Sequence, residues 1–65
     1  MYIKRSSIKR MFKDAGASRV SEEAVNAFQG KVERIAFDAA TKSVNLSKHA
    51  KRKTVYISDV KLAFQ

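Results

Sequence analysis

Apolar residues recur along the chain with helical spacing, and the first segment with this spacing is a short one. Its apolar side chains follow one another at intervals of three or four, at Ile8, Met11, Phe12 and Ala15. This spacing places them on one face of a helix. Ser6 or Ser7 is expected to cap the start of the helix. Gly16 is expected to end it, because glycine tolerates the left-handed conformation found there.

A much longer helix is predicted for the middle of the chain. Ser21 is expected to cap it, and Glu22 and Glu23 fall in its first turn, where the helix dipole favours negative charge. No proline interrupts the sequence up to His49, and a helix over residues 22–48 would be roughly 40 Å long. A globule of this chain length is only roughly 25 Å across, so the helix would exceed it.

Apolar side chains lie on more than one side of this long helix. One stripe consists of Val25, Phe28, Val32, Ile35 and Ala39, and a second consists of Phe37, Ala40 and Val44. Two short flanking helices cannot cover both stripes, whereas a second copy of the long helix, crossing near the midpoint, would cover them. We therefore predict a dimer with a core of Phe28, Val32, Ile35 and Ala39.

The last segment predicts a loop followed by a short helix. Residues 50–53 form a basic loop, and residues 54–57 alternate polar and apolar side chains, as a brief extended stretch does. Ser58 is expected to cap the final helix, which has an apolar face. The predicted fold class is therefore all-α, with the order short helix, loop, long helix, loop, short helix. A chain of 65 residues is expected to form one domain, over residues 1–65.

Composition limits how so small a domain can be stabilised. The chain has no cysteine, no proline, two glycines and one histidine. Disulfides and thiolate metal sites are excluded, and one histidine is too few for a histidine-based metal cluster. We expect no metal and no cofactor. Because a monomer of this size is marginally stable, association with a second chain is the remaining remedy.

The charge of the chain points to a polyanionic partner. Fourteen Lys and Arg residues oppose six Asp and Glu residues, for a net charge of +8. The charge is concentrated at the two ends, with +5 in residues 1–20, −1 in residues 21–47 and +4 in residues 48–65. Since 45% of the residues are hydrophobic, the chain is expected to fold. A compact basic domain favours nucleic acid as its partner and an anionic membrane surface as the second possibility.

Several other classes of function are disfavoured. An enzyme is not expected, because acid–base groups are few and no nucleophile motif or phosphate-binding glycine loop is present. No apolar run exceeds three residues, which excludes a transmembrane helix and the apolar core of a signal peptide. A membrane-surface protein would have one wide apolar face opposite a lysine-rich face, and the near-neutral middle disfavours this. We expect a cytoplasmic protein.

Two loop motifs give the chain a resemblance to a known family. The segments are K-D-A-G-A at residues 13–17, R-V-S at residues 19–21, and H-A-K-R-K-T-V at residues 49–55. With these motifs at this spacing, residues 8–65 resemble the archaeal histone family. The resemblance implies a histone fold that dimerises head to tail in a handshake, with the first loop of one protomer beside the second loop of its partner. It also implies a chromosome-associated histone of the nucleoid.

The resemblance implies a function and the residues that perform it. Family members bind double-stranded DNA, wrap it largely independently of sequence, and polymerise from homodimers, or from heterodimers with other histones, into nucleosome-like superhelical assemblies. Arg19 matches the arginine that enters the minor groove, and Thr54 matches the threonine that holds this arginine. Lys53 matches a lysine that contacts phosphate. Arg10 and Lys13 match basic residues of the first helix that approach the DNA backbone.

Two further sets of residues match structural and assembly contacts of the family. Arg52 and Asp59 match an ion pair within one chain that fixes the second loop. Leu46, His49 and Asp59 match the contact through which dimers join. The chain also departs from the family pattern, since Lys51 stands where glycine is frequent and Tyr56 replaces a common lysine, so that it can pack or stack instead.

Plainer alternatives to these roles stay open. Thr54 can be an ordinary strand residue, His49 and Asp59 an ordinary surface pair, and the basic residues of the first helix a solvated face. For the whole chain, the alternative function is a histone-fold subunit of a heterodimeric transcription or chromatin factor. The basic loops disfavour this alternative, because they provide a surface for DNA.

Overall fold

The computed structural model describes residues 2–65. The helices are α1 (Arg5–Asp14), α2 (Glu22–His49) and α3 (Ile57–Ala63), and this part of the chain contains no strand. The all-α class and the order of short, long and short helices are therefore confirmed. The chain forms two compact units, one ending at Arg34 and the other formed by Ile35–Gln65. The single-domain organisation stays a prediction.

Helix α1 begins earlier than the sequence suggested. Its N-cap is Lys4, which makes no side-chain capping bond, and its first turn is closed by the N–H groups of Ser7 and Ile8 donating to the Lys4 carbonyl. Ser6 and Ser7 therefore lie inside the helix, and the prediction that either caps it is wrong. The apolar pattern begins only at Ile8, the first buried residue, and an exposed turn before it leaves no trace in that pattern.

The end of α1 is as predicted. Gly16 has a φ of +111° and follows the C-cap residue Ala15. The N–H of Gly16 donates to the carbonyl of Lys13 at 3.0 Å, and the N–H of Ala17 donates to the carbonyl of Phe12 at 2.9 Å. This pair of bonds is a Schellman motif, in which glycine supplies the left-handed residue.

Helix α2 starts at the predicted cap. The hydroxyl oxygen of Ser21 accepts the N–H of Ala24 at 3.0 Å, and Glu22 and Glu23 occupy the first turn. The cap satisfies one of the backbone donors that the start of a helix leaves without an intrahelical partner.

The end of α2 repeats the Schellman motif with a lysine in place of glycine. Lys51 has a φ of +58°. Its N–H donates to the carbonyl of Lys48 at 2.8 Å, and the N–H of Arg52 donates to the carbonyl of Ser47 at 2.9 Å. The departure from glycine at this position therefore leaves the mode of helix termination unchanged.

Helix α3 is started by a carboxylate rather than by a hydroxyl. Its N-cap is Tyr56, and the carboxylate of Asp59 accepts the Tyr56 N–H at 2.8 Å. The prediction that Ser58 caps the helix is wrong, since Ser58 lies in the first turn. Asp59 stands three residues after the N-cap, where an acidic side chain reaches back to the N-cap N–H as in a capping box.

The two units have different interiors. In the first unit, Ile8 and Val25 are fully buried, and the rings of Phe12 and Phe28 meet edge to face with 4.8 Å between their centroids. The second unit buries small or polar side chains, namely Ala39, Ser43, Ser47, Asp59 and Ala63. Its two serine hydroxyls donate to backbone carbonyls of α2. Large apolar side chains of the second unit therefore lie outside its interior.

Much of the apolar surface is left uncovered by the single chain. Ile35 is 62% exposed and Phe37 is 55% exposed, and the exposed set also includes Met11, Val44, Val60, Leu62 and Phe64. Of the predicted dimer core, Phe28 and Val32 are half-buried and Ala39 is buried. Exposed apolar surface of this extent marks an interaction site. The residues of the dimer core themselves stay a prediction.

Candidate nucleic-acid interface

The basic residues of α1 divide into two pairs. Arg5 forms an ion pair with Glu22 and donates to the side-chain oxygen of Asn26, while the Lys9 ammonium lies 3.1 Å from the Glu22 carboxylate. The bond from Lys9, together with the charge of Arg5, holds the pKa of Glu22 below its ordinary value. Arg5 and Lys9 thus join α1 to the start of α2 and have partners within the chain.

Arg10 and Lys13 form the outward pair. Both residues are exposed. Arg10 Nε lies 3.9 Å from a carboxylate oxygen of Asp14, one helical turn away, and these two side chains are 84% and 74% exposed. A pair so exposed contributes little to stability, and a phosphate group can replace the carboxylate. Arg10 and Lys13 therefore remain accessible to a polyanion, as their predicted role requires.

The first loop presents Arg19 between two fixed ends. On one side the Schellman motif holds Gly16 and Ala17, and on the other Ser21 caps α2. Ala17 and Val20 are half-buried, whereas Arg19 is exposed. Because backbone bonds fix both ends of this short loop, Arg19 projects from a defined position.

Arg52 organises the second loop. Its guanidinium donates to both carboxylate oxygens of Asp59, at 2.9 and 3.0 Å, and to the carbonyl of Thr54 at 2.9 Å. The guanidinium also stacks on the ring of Tyr56, 4.3 Å from its centroid. The structure thus brings Arg52 and Asp59 together as an ion pair within the chain. It also gives Tyr56 the stacking role that remained possible when it replaced lysine.

Electrostatics keep this ion pair charged. The Asp59 side chain is 5% exposed, against 27% for Arg52. The bonds from Arg52 and from the Tyr56 N–H hold the pKa of Asp59 below its ordinary value, and the bond to Asp59 raises the pKa of Arg52 above its ordinary value. The ionised carboxylate therefore fixes the loop and the start of α3 together.

Lys53 and Thr54 lie on the outside of this loop. Both residues are exposed. The Thr54 carbonyl is held by Arg52, so the backbone that carries the two side chains is fixed from within. The predicted proximity of Arg19 to Thr54 joins the first loop of one protomer to the second loop of its partner, and it stays a prediction.

Two of the three predicted assembly residues share a groove. Leu46 and His49 line it with Lys42, Asn45, Leu62 and Ala63, and its volume is about 450 Å³. Leu62 is a candidate contact that the sequence did not reveal, although its place on the apolar face of α3 was a signal for it. Asp59 is buried and accepts three hydrogen bonds within the chain. At most one acceptor position remains on its carboxylate for a partner, and its assembly role stays a prediction.

The described residues provide neither a membrane span nor a metal site. No helix within residues 2–65 combines the length and the apolar character that crossing a membrane requires. The same part of the chain contains no group of three or more His, Cys, Asp or Glu side chains placed to hold a metal ion.

Comparison with known proteins agrees with the fold and with the basic loops. Residues 1–64 match the family model described as histone-like transcription factor (CBF/NF-Y) and archaeal histone. The chain is 55% identical over 56 residues to the probable archaeal histone 3 of Methanocaldococcus jannaschii, covering 86% of this chain and 84% of that protein. It is 43% identical, with the same coverage, to one of the subunits of the archaeal histone HAN1 from Thermococcus zilligii. The chain therefore belongs to the family of histone-like transcription factors and archaeal histones, and it is a DNA-binding protein of the histone fold.

Proposed function

We propose that this histone wraps double-stranded DNA around dimers that join end to end on the chromosome. The observation that carries the proposal is the pair of basic loops, each with exposed cationic side chains on a backbone fixed from within. Fixed cations lose little conformational freedom when they meet phosphate, so more of each contact is available for binding.

The charges that meet DNA are Arg10, Lys13, Arg19 and Lys53, joined by the polar Thr54. Insertion of arginine wherever the minor groove faces inward is the known mechanism of histone octamers, and we extend it to Arg19. Such contacts follow the DNA backbone and the shape of the groove rather than base edges. Sequence preference is therefore weak and reflects the ease of bending.

Dimerisation in a handshake is supported by two apolar surfaces. In the first unit, an open groove of about 490 Å³ is lined mainly by Met11, Phe12, Ala15 and Phe28. In the second unit, another of about 330 Å³ is lined mainly by alanines of α2 together with Val44, Val55, Val60 and Phe64. The alanines allow a second long helix to approach closely. Burying these surfaces against a second chain supplies the hydrophobic stabilisation that a chain of this size lacks alone.

Joining of dimers is supported by the groove that contains Leu46 and His49. A dimer carries this groove twice, once on each protomer, so each dimer can bind two others. If the rotation between successive dimers does not close a ring, the assembly grows as an open filament. DNA bound along such a filament is wrapped continuously, and this is how we infer that the protein compacts the chromosome.

Membership of a heterodimer is the second candidate function. The relative from Thermococcus zilligii is named as one of several subunits, and the family also contains histone-like transcription factors. Sedimentation and native mass spectrometry of the purified chain alone separate the two possibilities. A folded homodimer supports self-assembly, whereas a chain that folds only after a second histone is added supports the heterodimer.

The first test of DNA wrapping is Arg19→Ala. We expect the affinity for a random duplex and for an easily bent duplex to fall by a similar factor, roughly tenfold, which is about 1.4 kcal/mol. Both decreases follow from the loss of groove and phosphate contacts that do not identify bases. Lys31→Ala, which removes an exposed charge from α2, is the control and should change both affinities much less. A loss confined to one of the two duplexes would indicate base-specific recognition and contradict the proposal.

A further inference from the structure

Lys51 has an unusual backbone conformation for its side chain. It is the one non-glycine residue in residues 2–65 with a positive φ, +58°. The left-handed region is unfavourable for L side chains, because Cβ approaches the following carbonyl oxygen. The corresponding residue at the end of α1 is Gly16, which avoids this problem.

The backbone gives no reason for a lysine at this position. The two bonds that end α2 are donated by the N–H groups of Lys51 and Arg52, and a glycine at residue 51 would donate the same bond. A glycine would also fit the conformation better. What lysine adds is an exposed ammonium group on the second loop.

The surroundings show why that charge is useful. Residues 51–53 are three consecutive basic residues, but the middle one has its partners within the chain. Arg52 bonds both oxygens of Asp59 and stacks on Tyr56, so its guanidinium is turned inward. Lys51 and Lys53 are left as the two exposed charges of this run.

We propose that Lys51 is an additional phosphate-binding residue of the second loop, held in place by the left-handed end of α2. This inference rests on the DNA binding proposed above and adds a contact to it. The strain is retained because the position is fixed on both sides: the Schellman bonds hold the backbone before it, and the Arg52–Asp59 pair holds the loop after it. Local strain that a residue keeps without structural need is a recognised mark of function.

The test compares three variants of Lys51 on a duplex long enough for a single dimer. Lys51→Gly removes the charge and relieves the conformation, Lys51→Asn removes the charge with a side chain that tolerates it, and Lys51→Arg keeps the charge. Each lost phosphate contact lowers the slope of log affinity against log salt by about 0.9, and hence by about 1.8 for the two copies in a dimer. We expect this decrease in the glycine and asparagine variants, and the wild-type slope in the arginine variant.

Thermal unfolding and a charge control complete the experiment. Lys51→Gly should melt at a higher temperature than the wild type, so that its weaker binding cannot result from unfolding. Lys31→Gln removes an exposed charge from α2 and should keep the wild-type slope. A wild-type slope in Lys51→Gly, or an equal decrease in Lys31→Gln, would overturn the role of Lys51 while leaving DNA binding intact. A wild-type protein without salt-dependent binding would instead contradict the proposed function itself, and this inference with it.

Discussion

Asp59 connects the second loop to α3 through hydrogen bonds from two residues. Its oxygens accept the guanidinium of Arg52 and the N–H of Tyr56, and its side chain is almost completely buried. A buried carboxylate with these partners has a lowered pKa, as Asp59 does. One residue therefore sets both the start of the last helix and the shape of a proposed DNA-binding loop.

This arrangement predicts a specific pH dependence of stability. Because the pKa of Asp59 is lower in the folded protein than in the unfolded chain, its contribution is fully present above the unfolded value, about 3.9. It is lost as the pH falls through the folded pKa. Asp59→Asn should therefore lower the melting temperature at neutral pH by several degrees. The difference from the wild type should shrink below about pH 4, where both side chains become neutral.

The matched control for this prediction is Asp14→Asn. Asp14 is an exposed carboxylate, and its ion pair with Arg10 is long and solvated. Its replacement should leave the melting temperature nearly unchanged at every pH. Equal melting of the two variants at neutral pH would contradict the role given to Asp59. So would a gap between Asp59→Asn and wild type that stays constant into acid.

Single residues also show where sequence reasoning succeeds and fails. Ser21 and Gly16 were predicted correctly, because each stands beside a clear change in the apolar pattern. Ser6 and Ser58 were assigned as caps incorrectly, since a hydroxyl near a helix start is common and the pattern does not record an exposed first turn. The stacking of Arg52 on Tyr56 was left open, because it depends on how the loop folds back.

At the scale of elements, α2 contains the main information about assembly. Its two apolar stripes were visible in the sequence, and they predicted a surface that one chain does not cover. The structure leaves Ile35 and Phe37 exposed on this helix. The order of helices was predictable because each apolar period is long enough to identify. The partner of α2 was not, because a single chain contains half of that interface.

Ile35→Asp tests the role of α2 in the dimer. A carboxylate at a position buried by the partner would lose its hydration without gaining a counterion, which is strongly unfavourable. We therefore expect the variant to lose the dimer and its helical circular dichroism together. Thr41→Asp introduces the same charge at an exposed polar position of α2 and should remain a folded dimer. A folded, monomeric Ile35→Asp protein in sedimentation would refute an obligate dimer.

At the scale of the whole molecule, the proposed function depends on two surfaces that act separately. The basic loops would bind DNA in each dimer, and the groove with Leu46 and His49 would join dimers. A change in the groove should therefore affect compaction without affecting the binding of one dimer. The location of these surfaces was predicted from family resemblance, whereas Leu62 became a candidate only once α3 was placed beside α2.

His49→Asp separates the two surfaces. The predicted dimer–dimer contact brings His49 near Asp59 of a neighbouring dimer, so a second carboxylate would repel the first. We expect the variant to form dimers and to bind a short duplex with an affinity within about twofold of wild type, since its loops are unchanged. It should fail to compact long DNA in single-molecule extension measurements. His49→Gln removes the repulsion and should retain part of the compaction, whereas full compaction by His49→Asp would exclude this contact.

The most direct test of the central claim is nuclease digestion of long DNA saturated with the wild-type protein. Dimers that wrap DNA and join end to end should protect a ladder of fragments that increase by a constant step, the length wrapped by one dimer. A single protected length would indicate a closed particle and contradict open polymerisation. A digestion pattern the same as that of naked DNA would contradict wrapping altogether.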